Sequence, residues 1–202
     1  MTIVEDIVVR RLGRAEYLPT LEAMRRFTLE RGDSTADELW LLEHPPVYTL
    51  GQGAAPARVA NGIRVIAADR GGEITYHGPG QVVLYTLVDL GRRGIKVKAF
   101  VRLLEQAVID LLGARATRLA GAPGVYVDGA KVAALGIRVT RGRAYHGLAL
   151  NVDMDLTPFS AIDPCGYPGL PVTHTRALGL AGTPDELGER LAQLVIRGLD
   201  HA

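Results

Sequence analysis

Hydrophobic residues recur along this chain in two periods, and the switches between them mark the expected elements. Residues 3–10 form a β-rich run that reads as a first strand. From 17 to 31, Leu18, Leu21, Met24 and Phe27 fall on one side of a helix that Gly32 stops. Short apolar runs at 39–42, 47–50 and 63–67 predict strands, separated by His44-Pro45-Pro46 and a Gly/Ala/Pro stretch. A further strand is expected at 82–90. The clearest helix carries Phe100, Leu103, Leu104, Ala107, Val108, Leu111 and Leu112 at i, i+3, i+4, i+7 spacing and ends at Gly113. Runs at 125–127 and 132–139 flank Asp128-Gly129, a strong hairpin signal. Another strand is expected at 145–152. The last helix opens with Thr183-Pro184-Asp185-Glu186, a capping box with proline at its first position, and runs through Leu187, Leu191, Leu194 and Val195.

Strands outnumber helices, and several follow one another in hairpin-like succession. This pattern predicts an α+β fold, a single domain over 1–202 with a mixed, largely antiparallel sheet flanked by helices. At 202 residues such a chain can bury roughly 70% of the surface it exposes when unfolded. No internal repeat, low-complexity tract or linker interrupts it.

Composition narrows the class. A hydrophobic content of 48% and a charged content of 22% are ordinary for a soluble globular protein. One cysteine, Cys165, rules out an internal disulfide. No basic stretch leads into an apolar run at the N-terminus, and no run approaches the ~20 apolar residues of a membrane span. The expected location is cytoplasmic. A net charge of +1 argues against general nucleic-acid binding. Lysine occurs only at 96, 98 and 131, so arginine supplies the other 20 of 23 basic residues and each lysine draws scrutiny.

Four segments can carry chemistry. Cys165 stands in Asp163-Pro164-Cys165-Gly166-Tyr167-Pro168-Gly169, too rich in Pro and Gly for a core helix or strand. A thiol on such a turn is a candidate nucleophile where a neighbour lowers its pKa, and otherwise a cysteine tucked under a loop. The 70–81 segment, Arg70-Gly71-Gly72-Glu73-Ile74-Thr75-Tyr76-His77-Gly78-Pro79-Gly80-Gln81, combines four glycines with polar side chains. Its backbone can approach a ligand closely, although it is neither a Walker loop nor a dinucleotide fingerprint. Lys131 starts an apolar strand of small residues, Ala134, Leu135 and Gly136 among them. A solvated surface lysine is the bland alternative; desolvated beside a thiol, it would lower the thiol's pKa and shuttle protons. The fourth segment is His146-Gly147-Leu148-Ala149-Leu150-Asn151-Val152-Asp153. His77, His146, Cys165 and His174 lack the close spacings of a metal site. A Cys–His hydrolase with Asn151 as orienter lacks the local signatures of known versions.

Together, the 70–81 string, Ala122-Pro123-Gly124-Val125-Tyr126-Val127, Lys131 with Ala134-Leu135-Gly136-Ile137-Arg138, His146-Gly147-Leu148-Ala149-Leu150-Asn151 and Pro164-Cys165-Gly166 resemble, in type and order, the lipoyl(octanoyl) transferases. The resemblance implies the catalytic fold of biotin and lipoate ligases, with no cofactor, nucleotide or metal required. It implies ping-pong transfer of an octanoyl group from octanoyl-acyl carrier protein to a lysine of lipoyl domains, those of 2-oxoacid dehydrogenase complexes and the glycine-cleavage H protein. Catalysis would fall to Cys165 and Lys131. Substrate binding would fall to Arg70, Gly71, Gly72, Glu73, Ile74, Thr75, Tyr76, His77, Ala134, Leu135, Gly136, His146, Gly147, Leu148 and Ala149. An acyl tunnel is expected, with Gly71, Gly72, Ala134, Gly136 and Gly147 leaving room for the chain. The Arg92-Arg93, Lys96, Lys98 run and Arg138, Arg141 and Arg143 are a candidate docking rim for acidic partners, or a solvated basic face. The alternatives are an ATP-dependent lipoate or biotin ligase, a non-catalytic acyl-binding protein, and a thiol hydrolase releasing octanoate.

Overall fold

A computed structural model of the chain describes residues 7–55, 59, 61–162 and 169–202. Two sheets meet, and the larger one carries the core on both faces. It has seven strands in the order β1-β2-β6-β10-β9-β8-β7: β1 (Val8–Arg14), β2 (Glu38–Glu43), β6 (Gln81–Asp89), β10 (Arg143–Asn151), β9 (Ala130–Thr140), β8 (Ala122–Val127) and β7 (Ala116–Leu119). Within it only β1 and β2 run parallel; the other neighbours are antiparallel. The smaller sheet places β3 (Val47–Leu50) between β4 (Val65–Ala67), parallel, and β5 (Ile74–His77), antiparallel. A mixed, largely antiparallel sheet flanked by helices is what the hydrophobic pattern predicts.

On one face of the large sheet lie α3 (Val97–Leu112) and α4 (Pro184–Asp200). Phe100, Leu104 and Val108 of α3 and Leu187, Leu191 and Val195 of α4 pack with Leu84, Leu148 and Leu150. On the other face α1 (Tyr17–Glu30) lays Tyr17, Leu21 and Met24 against Trp40, Leu42, Val83, Tyr85 and Ala149. Each fully buried side chain of this size stabilises the fold by about 1.5–3 kcal/mol relative to exposure. The central strand β6 is therefore apolar along most of its length although it is antiparallel: Val82 and Leu84 face one layer, Val83 and Tyr85 the other. A third cluster joins Tyr48 and Tyr76 of the small sheet to Met154 and Phe159, the latter in a 3-10 turn, Thr157–Ala161.

Local chemistry explains the boundaries. Asp128-Gly129 and Arg141-Gly142 both have positive φ at each residue, +50° and +81° in the first and +50° and +79° in the second. These are the two-residue turns whose twist suits a tight hairpin. At α4 the capping box forms: Glu186 N–H donates to Thr183 Oγ1 at 3.3 Å, and Thr183 N–H to Glu186 Oε2 at 2.8 Å. Three elements escape a reading by period. The four-residue helix α2 (Leu90–Arg93) is one turn long, held by Asp89 accepting from Arg92 N–H. Strand β5 lies inside the glycine-rich segment, and β7 is a short edge strand with only Ala116 buried.

Candidate active site

The cavity opens between the face of the large sheet that carries Val83, Tyr85 and Ala149 and the 72–75 stretch leading into β5. Arg70, Gly72, Glu73, Ile74, Thr75 and His77 line it from the small-sheet side. Lys131, Ala134, Leu135 and Gly136 line it from β9, and His146, Gly147, Leu148 and Ala149 from β10. Of the expected substrate-binding residues, Gly71 and Tyr76 alone do not line it. Gly71 N–H bonds Ile137 O at 3.0 Å, and Tyr76 packs between the rings of Tyr48 and Phe159, each 5.5 Å away.

Lys131 reaches the cavity because β9 carries a bulge. Tyr126 pairs with Lys131 while the preceding Val125 pairs with Ala133, so Val132 is an extra residue on β9. The bulge reverses the alternation: Val132 and Ala133 both enter the helix-side core, and Lys131 joins Ala134 on the cavity side. Only 3% of Lys131 is exposed. Its Nζ donates to Pro123 O at 3.3 Å and sits 5.2 Å over the Tyr126 ring. Its backbone receives the 171–173 segment as a parallel neighbour, with Lys131 N–H to Pro171 O at 2.8 Å and Thr173 N–H to Lys131 O at 2.9 Å. Cys165, six residues before Pro171 in sequence, lies outside the described residues.

A chain of buried amides fixes this end. His77 Nδ1 bonds Gln81 Oε1 at 2.7 Å, Gln81 Nε2 donates to Asn151 Oδ1 at 2.9 Å, and Asn151 Nδ2 donates to Thr173 O at 3.0 Å. Burial and the neighbouring His44 push His77 down to about 3, so it is neutral at physiological pH. With Nδ1–H given to Gln81, its Nε2 is an acceptor, 3.5 Å from Thr49 Oγ1. Arg70 is also buried, its guanidinium gripping Thr49 through O at 2.6 Å and Oγ1 at 2.8 Å. The Asn151 of the sequence reading thus orients the 171–173 segment and Gln81.

At the other end His146 adopts φ +61°, a left-handed conformation uncommon for a residue with a Cβ. The local turn puts Tyr145 and His146 on the same side, stacked at 4.9 Å, where strict alternation would send His146 into the helix-side core with Leu148 and Leu150. Both bond Asp69, His146 Nε2 to Oδ1 at 2.8 Å and Tyr145 Oη to Oδ2 at 2.7 Å, with Arg25 Nε at 3.0 Å from Oδ2. Burial alone would raise the Asp69 carboxyl, but the bonds from His146, Tyr145 and Arg25 hold it well below the usual range. His146 is itself lowered by burial, with Asp69 pulling the other way.

Two of the cavity glycines, Gly136 and Gly147, admit neighbouring backbone. A Cβ on Gly136 would come within 2.8 Å of Gly71 O, and one on Gly147 would overlap the Leu84 carbonyl. Their missing side chains admit neighbouring backbone, which then shapes the cavity. The basic rim also needs correcting. Arg92 and Arg93 turn inward onto the buried carboxylate of Asp37, at 2.9 and 2.6 Å, and Arg143 lies 3.4 Å from Asp89. Among the described residues no three His, Cys, Asp or Glu side chains gather into a metal-binding group, and no helix is long and apolar enough to cross a membrane.

Sequence reasoning missed Tyr17, Asp69, Val83, Tyr85, Phe159 and Val172. The Tyr85 hydroxyl in an apolar strand was the available signal, since a buried phenol needs a polar partner; it finds His44 Nε2 at 2.7 Å. The remainder meet the site only through tertiary approach.

Residues 16–194 match the lipoyl protein ligase A/B catalytic domain. An octanoyltransferase of Thiobacillus denitrificans is 60% identical over 199 residues, covering 96% of this chain and 91% of that protein. One from Aromatoleum aromaticum is 60% identical over 190 residues, covering 92% and 82%. Among solved structures, a putative lipoate protein ligase from T. acidophilum with bound lipoic acid superposes with a TM-score of 0.76 at 17% identity, covering 96% of this chain and 86% of that one. The fold is that of the ligases, while sequence identity of this order over nearly the whole chain is shared with the octanoyltransferases. The chain belongs to the lipoyl protein ligase A/B catalytic-domain family, as an octanoyltransferase.

Proposed function

We propose that this octanoyltransferase takes its acyl group from octanoyl-acyl carrier protein and passes it to a lysine of lipoyl domains, with Cys165 as the covalent carrier and Lys131 as its partner. The observation that carries the reading is a desolvated lysine in the wall of a largely apolar cavity, with its backbone paired to the 171–173 segment that follows Cys165 in sequence. An ammonium beside a thiol favours the thiolate, and each unit of thiol pKa depression corresponds to about 1.4 kcal/mol. The Cys165 thiolate attacks the thioester carbonyl of the donor; the carrier's thiol leaves and takes a proton from Lys131. Neutral Lys131 then accepts a proton from the acceptor lysine, whose amine attacks the octanoyl-Cys165 thioester, forming the amide and releasing Cys165 as the thiolate beside the restored Lys131 ammonium. Exchange of one thioester for another is close to balanced and amide formation is downhill, so no nucleotide enters. The acyl chain lies along Ala134, Ala149 and Val83; burying ~6 methylenes at ~0.8 kcal/mol each contributes roughly 5 kcal/mol. His77, Gln81 and Asn151 position the Lys131 end and move no proton.

Intact-protein mass spectrometry tests this reading. Octanoyl-acyl carrier protein should add one octanoyl group that hydroxylamine removes, that Cys165→Ser abolishes, and that a lipoyl domain collects. Lys131→Ala should slow its appearance by at least about 100-fold, within the range general acid–base groups supply. Loading that needs ATP and free octanoate, or none at all, would overturn the assignment.

A further inference from the structure

Away from Lys131 the cavity wall turns polar, and two of its polar atoms have no hydrogen-bond partner among the described residues. Asn151, beside the Lys131 end, and Gly147 are four residues apart on β10, which spans roughly 13 Å. An extended acyl chain starting near Lys131 and following β10 therefore runs toward Tyr85 and His146, with Tyr17 flanking its course against His44 at 5.2 Å and His77 at 6.2 Å. Tyr17 Oη and His146 Nδ1 lack any hydrogen-bond partner among the described residues, although the two side chains are only 3% and 1% exposed and both line the cavity. The neighbouring polar groups are already engaged. His44 Nε2 bonds Tyr85 Oη at 2.7 Å, and His77 bonds Gln81.

The chemistry of the two atoms is complementary. Asp69 holds His146 Nε2–H, which leaves Nδ1 as a bare acceptor on a neutral ring. Burial pushes Tyr17 to about 12, so its hydroxyl keeps its proton and can donate. His44 and Tyr85 bridge the space between the two rings, with centroid separations of 5.2, 5.8 and 6.0 Å along Tyr17, His44, Tyr85 and His146. A hydroxyl oxygen can accept from Tyr17 or donate to His146, and buried waters occupy such places. The left-handed backbone that aims His146 here is local strain of the kind retained at working sites.

We propose that Tyr17 and His146 form a hydroxyl-binding subsite at the far end of the acyl cavity, which holds one water against a methyl-ended chain and accepts an acyl chain of the same length ending in a hydroxyl. The proposal rests on the cavity being the acyl site. An all-apolar tunnel end would leave that hydroxyl unpaired and discriminate against it.

The test compares 8-hydroxyoctanoyl- and octanoyl-acyl carrier protein as donors, reading kcat/KM for transfer to a lipoyl domain. The native protein should use the hydroxylated chain at no less than about one-tenth of the octanoyl value, and Tyr17→Phe should lower the hydroxy-to-methyl ratio by at least about tenfold. Because the Tyr17 hydroxyl bonds no other described residue, removing it strands none of them. A native ratio below one-tenth, or a ratio that Tyr17→Phe leaves unchanged, overturns the subsite. Failure of the native protein to transfer even the octanoyl group would instead overturn the acyl-transfer reading.

Discussion

The histidines around the cavity are held neutral, and this has a consequence for stability. Burial lowers His44 to about 4, and burial together with His44 lowers His77 to about 3, while both titrate near 6.5 in the unfolded chain. Between those values the unfolded chain binds protons that the native state refuses. Their contribution is therefore complete above pH ~6.5 and is lost as pH falls toward the native values, at up to about 1.4 kcal/mol per pH unit for each histidine. Urea unfolding at pH 5 should give a free energy about 4 kcal/mol below that at pH 7.5 from these two residues together. A midpoint that does not move across this range would mean that one or both rings are charged or solvated in the native state. His77 and His146 were legible in sequence because they interrupt glycine-rich or apolar strings. Asp69 was not, because its partners Arg25, Tyr145 and His146 are distant along the chain and meet it only in the fold.

At the scale of elements, the strands were legible and their facing was not. Period-2 alternation locates β6, β9 and β10, yet the site depends on two departures from it: the extra residue Val132, which turns Lys131 to the cavity, and the left-handed His146, which turns that ring to Asp69. Neither departure has a composition signal, since Val132 is an ordinary strand residue and His146 an ordinary strand neighbour. Gly147 follows the second departure and lets β10 close on β6. A Cβ there would overlap the Leu84 carbonyl, so the β6–β10 pairing, the middle of the large sheet, would have to spread. Gly147→Ala should cost about 3 kcal/mol, at the upper end of overpacking effects, because rigid backbone rather than a side chain must give way. Thermal unfolding reads this directly. A loss below about 0.5 kcal/mol, the scatter of ordinary surface changes, would mean that the two strands are farther apart than the structure has them.

Across the whole molecule, one buried carboxylate ties the layer over the cavity to the sheet beneath it. Asp37 is fully buried and accepts from Arg31 at the end of α1 (2.6 Å), from Arg92 (2.9 Å) and Arg93 (2.6 Å) of α2, and from the backbone N–H of Asp89 at the end of β6 (2.9 Å). Burial opposes its charge, but the Asp89 N–H and the arginines outweigh it and keep Asp37 below the usual carboxylate range. Arg31 extends the tie by donating to Leu87 O at 3.0 Å. The opposite end of α1 is Tyr17, packed on His44 and His77 in the cavity wall. The helix is thus anchored by charge at its C-terminal end and by rings at its N-terminal end. Asp37→Asn keeps the shape and removes the charge, leaving three guanidiniums without their shared counter-ion. Removing one partner of a buried ionic group costs about 3–5 kcal/mol, because the remaining charges stay desolvated. In a chain of this size that is a fall in melting temperature of roughly 10 °C, measurable by calorimetry. The same variant should raise the KM for the acyl donor more than it lowers the rate of the chemical step, since α1 packs over β6 and β10 and puts Tyr17 in the cavity wall, while Lys131 enters the cavity from β9. A variant as stable as the native protein would show that the arginines find other partners and that α1 is held by its apolar face alone.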